Sequence, residues 1–189
     1  SKIAFLYISG VTPEMYKNAI FDSQLRVADI GFLSNIIENH DEPRGVCRYI
    51  PEGDLNDTSK KALAAVYFFL RGIPFIYQGQ EIGMENCPFE SIDQLDDISS
   101  KDEYKVCRDA GYSEEESMKL LRVYSRENAR TPVQWSDAEN AGFSTHKPWM
   151  IVNPNYKEIN LAKQKDDSNS VYAFYKKMIA LYKDPAYHE

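Results

Sequence analysis

The chain has 189 residues, 43% apolar and 27% charged, an ordinary balance for a globular domain with a buried core. Its net charge of −7 argues against a nucleic-acid partner and is compatible with a neutral or polar small molecule. Three cysteines without a CxxC pair fit free thiols in a reducing cytoplasm, and three histidines cannot assemble a zinc-ligand spacing.

Residues 2–8 read as a strand or a piece of loop. The apolar run there is about six residues, short of the roughly 18 that span a bilayer, and residues 1–10 themselves show no cationic n-region. No membrane association is expected, and a cytoplasmic location is. Thr12-Pro13-Glu14 then combines a cap, a first-turn proline and a first-turn acid. With Phe21, Leu25 and Ala28 on one face, residues 13–28 read as a helix.

Residues 31–44, GFLSNIIENHDEPR, follow. Phe32, Leu33, Ile36 and Ile37 form an apolar, β-branched run that passes at once into Glu38, Asn39, His40, Asp41 and Glu42, and Pro43 stops the strand. From composition alone, a solvated acidic loop fits this burst about as well as a functional mouth. In closed α/β barrels, however, catalytic groups sit at the C-terminal ends of strands.

Residues 45–56 read as a loop, with Pro51, Gly53 and Asp54. Ala62, Leu63, Val66, Tyr67 and Leu70 recur at helical spacing, so residues 59–71 read as a helix with Asp57, Thr58 and Ser59 as cap candidates. Gly72 ends it and residues 73–77 form a second strand, which gives a parallel strand–helix–strand unit. Residues 79–169 are charged and broken by prolines, too long for a plain loop, and read as a functional insert. Two capping boxes, Ser100 with Glu103 and Ser113 with Glu116, start short helices within it. Val171, Phe174, Tyr175, Met178, Ile179 and Tyr182 mark one face of a final helix over 170–183.

Two strong strands cannot close an eight-stranded barrel, and an open pair leaves both edges bare, so the inventory itself suggests part of a larger domain. Four stretches say which. Asn39-His40-Asp41 after an apolar strand resembles the last catalytic segment of the α-amylase superfamily of glycoside hydrolases. GIPFIYQGQEIGM at 72–84, SRENARTPVQW at 125–135 and AGFSTHKPWMIVNPNYKEIN at 141–160 resemble its oligo-1,6-glucosidase and α-glucosidase branch, in the same order.

The resemblance implies a C-terminal fragment of a TIM (β/α)8 barrel. It would hold strands seven and eight with their helices and a long insert after strand eight. Residues 1–189 would then be a partial catalytic barrel domain, with the first half of the barrel and the C-terminal β-domain absent. The implied activity is that of a retaining, exo-acting α-glucosidase on short α-1,6- or α-1,4-linked oligosaccharides. Same-branch alternatives are a trehalose-6-phosphate hydrolase and a sucrose-acting transferase or isomerase. A transporter heavy chain of the same fold is the non-catalytic alternative; the intact His40-Asp41 and Arg126 argue against it.

Retaining glycosidases need a nucleophile and an acid/base carboxyl about 5–5.5 Å apart. In this superfamily both lie on strands four and five, and no segment here resembles either. By motif position Asp41 would be the third carboxylate, which stabilises the transition state, and Asn39 in the same motif is expected to bind substrate. His40 would bind hydroxyls of the same sugar. Arg126 would reach the non-reducing-end sugar, and Arg130 would bind there or brace the loop. Glu127 stands where Asp is usual. Glu42 and Glu81 are not promoted, and Gln78, Gln80, Trp135 and Trp149 are expected to pack or brace the insert. No cofactor is expected, and no ligand cluster for calcium appears. The expected partners are a small oligosaccharide substrate and the remainder of the chain's own barrel.

Overall fold

The computed structural model describes residues 12–187; the strand or loop expected at 2–8 lies outside the described residues. Helix α1 spans Pro13–Val27, and Thr12 caps it by accepting the Met15 N–H. Its expected apolar face is not a core face. Phe21 and Leu25 are exposed, and no residue of α1 is buried, because no described element covers that side.

The two strands are present and shorter than the sequence suggests. Strand β1 is Ser34–Asn35 and β2 is Ile73–Pro74. They pair in parallel, Ser34 opposite Ile73 and Asn35 opposite Pro74, with Ile73 N donating to Leu33 O at 2.8 Å and Phe75 N to Asn35 O at 3.0 Å. A strand paired on one side only keeps few ladder bonds, so the regular geometry stops after two residues. Gly72 lets β2 approach β1: its φ is +138°, and a Cβ there would lie 2.3 Å from Leu33 O.

Between the strands, residues 45–56 are more ordered than a loop. They hold a short helix, α2, over Gly45–Tyr49 and a 3₁₀ turn over Glu52–Asp54. The crossover helix α3 runs over Asp57–Phe68. Its cap is Asn56, one residue before the expected candidates. Asn56 Oδ1 accepts the Thr58 and Ser59 N–H groups, and Ser59 Oγ accepts the Asn56 N–H.

After a short helix α6 over Leu161–Gln164, the final helix α7, Val171–Tyr182 with Ser170 as its cap, packs on α3. Ala64, Tyr67 and Phe68 meet Val171, Tyr175 and Met178 in the principal core, where each large buried side chain contributes about 1.5–3 kcal/mol. Gln80 sits in this seam and donates to both Tyr67 and Tyr175 hydroxyls, so it braces as expected.

The insert has its own core of Cys87, Phe89, Leu95, Met118 and Leu121, which joins α4 (Ile98–Asp109) to α5 (Glu114–Tyr124). The capping box expected at Ser113 and Glu116 starts α5. The other does not form. Ser100 is turned inward on the Ser125 hydroxyl, and Asp97 caps α4 by accepting the Ser99 N–H at 2.8 Å. An Asx cap three residues earlier satisfies the open N–H groups of the first turn and leaves Ser100 free to be buried.

Candidate active site

The polar burst after β1 folds back as a tight turn. Asn39 Oδ1 accepts the Asp41 N–H at 2.7 Å, a local side-chain turn that fixes the Asp41 backbone. Below it lies an ion pair that sequence reasoning passed over. Arg44 and Glu38 are both fully buried, with Arg44 Nη1 2.6 Å from Glu38 Oε1. Glu38 Oε2 accepts the Gly45 N–H, while Arg44 donates to the Gln78 and Asn128 carbonyls. Burial pushes the Glu38 carboxyl up, and Arg44 opposes that rise. One side chain thereby ties the turn after β1 to the loop after β2 and to the insert.

The turn after α5 carries the arginines. Residues Arg126–Arg130 form a 3₁₀ helix capped by Ser125, whose hydroxyl accepts the Glu127 N–H. Asn128 locks it from beneath by accepting the Cys87 N–H at 2.8 Å and donating to Arg122 O and Ser125 O. Both guanidiniums reach across to β1's turn. Arg126 Nη1 donates to Asp41 Oδ1 at 3.1 Å, and Arg130 Nη2 donates to the same oxygen at 3.0 Å. Arg130 Nε also donates to the His40 carbonyl at 2.9 Å, and His40 Nε2 lies 3.1 Å from Asp41 Oδ2. The five residues singled out from sequence, Asn39, His40, Asp41, Arg126 and Arg130, therefore form one contiguous cluster. Asp41 is about half exposed and His40 more so, which leaves the cluster open to a ligand from solvent.

Asp97 completes the cluster. It is 6% exposed and accepts from Arg126 at 2.8 and 2.9 Å and from Arg130. The Arg126 bonds, ahead of the opposing cost of burial, hold its carboxyl below the usual range. Its signal in the sequence was the Asp96-Asp97 pair just ahead of the α4 pattern, an Asx cap position. Glu127 is buried, and its Oε1 accepts the Asp96 and Asp97 N–H groups at 2.6 and 3.0 Å. Glu103 lies in the field of Arg126 and Asp97, and burial pushes its carboxyl up to about 7.

Glu42 turns away and pairs with Arg48. Glu81 lies in the 3₁₀ turn after β2, with Oε2 buried and unpaired among the described residues. Beside Arg130 a cleft of about 370 Å³ is lined by Gln78, Pro132, Phe143, Lys147 and Trp149. Trp149 and Trp135 do not pack as expected: Trp149 is 81% exposed and Trp135 47%.

A family model described as "Alpha amylase, catalytic domain" matches residues 3–188. The probable oligo-1,6-glucosidase 3 of Bacillus subtilis is 45% identical over 166 residues, 88% of this chain and 30% of that protein. The oligo-1,6-glucosidase of Parageobacillus thermoglucosidasius is 46% identical over 154 residues, 81% of this chain and 27% of that protein. The crystal structure of Bacillus licheniformis trehalose-6-phosphate hydrolase superposes with a TM-score of 0.90 at 37% identity, covering 96% of this chain and 33% of that one. The chain thus spans about a third or less of the length of these relatives.

Proposed function

This chain belongs to the α-amylase catalytic-domain family, and we propose that it supplies one side of the active site of a retaining, exo-acting α-glucosidase. β1 and β2 are strands seven and eight of the TIM barrel. The apolar side chains of Phe32, Ile36, Ile73 and Phe75, 49–70% exposed here, face barrel strands from outside this segment. Residues 1–189 are accordingly part of one barrel domain. The nucleophile and the acid/base belong to the rest of it.

The observation that carries the reading is the convergence of Asp41, His40 and Arg126 at one solvent-open point. Asp41 offers its negative charge to the oxocarbenium-like transition state. His40 and Arg126 donate to hydroxyls of the same sugar. Asn39 and Arg130 hold the turn that presents them. A short oligosaccharide with an α-1,6 linkage is the substrate favoured by the identities of 45% and 46% to oligo-1,6-glucosidases. Hydrolysis of trehalose 6-phosphate is the second reading, favoured by the TM-score of 0.90 to an enzyme of that name. Three unpaired thiols, Cys47, Cys87 and Cys107, support a cytoplasmic location.

The test is a chimera in which this chain replaces the matching segment of the Parageobacillus thermoglucosidasius enzyme. It should release glucose from isomaltose, and the 189-residue chain alone should release none. A folded chimera with no activity, or an active isolated chain, would overturn the assignment.

A further inference from the structure

We propose that Asp97 is a positioning residue for this site: it clamps Arg126 and Arg130 in the orientation in which each presents one N–H to Asp41. The proposal rests on the reading of Asp41 given above.

The two guanidiniums bridge two carboxylates, and the ends of the bridge differ. At the inner end, Asp97 is 6% exposed and takes Arg126 as a two-bond fork, Nε at 2.8 Å and Nη2 at 2.9 Å, with Arg130 Nη1 on the same carboxylate. At the outer end, Asp41 is 52% exposed and takes single bonds of 3.1 and 3.0 Å, both on Oδ1. Charge-assisted forks onto a shielded carboxylate are directional and hard for water to displace, whereas single bonds onto an exposed one exchange with water or a hydroxyl. Asp97 is therefore the fixed anchor, and the contacts at Asp41 are the ones a sugar can replace.

Charge balance supports the same division. Two guanidiniums and two carboxylates sum to zero. Without the Asp97 charge, both cations lean on Asp41 alone and offset the negative charge it must offer during bond breaking. The anchor is itself seated by the turn it serves. Glu127, between the two arginines in sequence, accepts the backbone N–H groups of Asp96 and Asp97. The turn thus carries both cations and the group that places their anchor.

Asp97 also caps α4, so the test must separate capping from clamping. Asn and Ser both cap helices well, and neither offers an anionic fork. In the active chimera, Asp97→Asn and Asp97→Ser should lower kcat about tenfold or more, since small misplacement of a reacting environment is costly. The melting temperature should fall too, because both arginines lose a shielded partner, so kcat is compared at a temperature where circular dichroism shows every variant folded. Capping alone would leave kcat and KM within about twofold in both variants, and that result overturns the proposal. Side-chain ¹⁵N spectra of the parent chimera supply a readout independent of activity and of variant folding. Arg126 and Arg130 Nε–H signals should be sharp and slow to exchange with solvent, and averaged, fast-exchanging signals would also overturn the clamp. An active Asp41→Asn chimera with those signals intact would instead refute the role given to Asp41.

Discussion

Arg44 Nη1 lies 2.6 Å from Glu38 Oε1 with both side chains sealed from solvent, and this pair carries the turn that presents Asp41. Its net worth for stability is small, because desolvating two charges offsets their attraction. Breaking it is another matter. Arg44→Met leaves a buried carboxylate without its cation and frees the Gln78 and Asn128 carbonyls. The expected loss is about 3–5 kcal/mol in urea unfolding. Adding Glu38→Gln to that background should recover part of it, since the amide carries no charge to bury. An additive or worsened double variant would mean that the pair does not act as a unit.

Much of the fold is legible in the sequence, and the reasons can be traced. α7 was readable because an unbroken apolar stripe coincides with its buried face, Val171, Tyr175 and Met178 included. The parallel strand–helix–strand unit was readable from β-branched runs around an amphipathic helix. α1 shows where such reading stops: its stripe is real, yet what covers it is not in the described residues, so pattern and burial part company. In the site, motif residues were legible because each carries unusual chemistry after a strand. Glu38, Arg44 and Asp97 were not, since a buried ion pair and a buried anchor look in sequence like any charged residues in a loop. Only the contacts of Arg44 with Asn128, and of Asp97 with Arg126 and Arg130, across long sequence separations, identify them.

Gly72 fixes how closely β2 can lie against β1. Ala at φ +138° is strained, and its Cβ would meet Leu33 O at 2.3 Å, a backbone atom that cannot swing aside. Gly72→Ala should cost about 2 kcal/mol or more by chemical denaturation. Gly53→Ala is the matched control, with nothing within 4 Å of the added methyl. It should change stability by less than about 0.5 kcal/mol. Equal effects at the two positions would show that the close approach at Gly72 does not matter.

Glu103 sets a pH dependence whose sign follows from its surroundings. Burial raises its carboxyl from 4.5 to about 7, against the pull of Arg126. Below 4.5 both the folded and unfolded chains hold the proton, so nothing is gained or lost. As pH rises from 4.5 to 7, the unfolded chain releases its proton first, and stability falls; above 7 the penalty is complete. Asp97 works in the opposite sense: its contribution is present above 3.8 and is lost as pH falls through its lowered folded value. Glu103→Gln should therefore match the parent in melting temperature near pH 4 and exceed it at pH 8. A gap that is constant across that range would mean that Glu103 ionises normally.

Asp41→Asn in the active chimera should cut kcat far more than it weakens substrate binding. The amide keeps the size of the side chain and an oxygen to accept from Arg126 or Arg130, so the turn held by Asn39 should survive. What it loses is the negative charge, and that charge matters most as positive charge develops on the sugar. Loss of a single electrostatic stabiliser of this kind costs about 3–4 kcal/mol, or roughly 10²–10³ in rate. His40→Ala should cost less and should appear in KM as well as kcat, because a contact to a neutral hydroxyl is made in the ground state too. Steady-state kinetics of both variants, with folding followed by circular dichroism, give the comparison. If Asp41→Asn kept most of its kcat, the two arginines would be ordering an acidic loop and not presenting a catalytic carboxylate. Asp41 would then rank with Asn39 as a residue that shapes the turn.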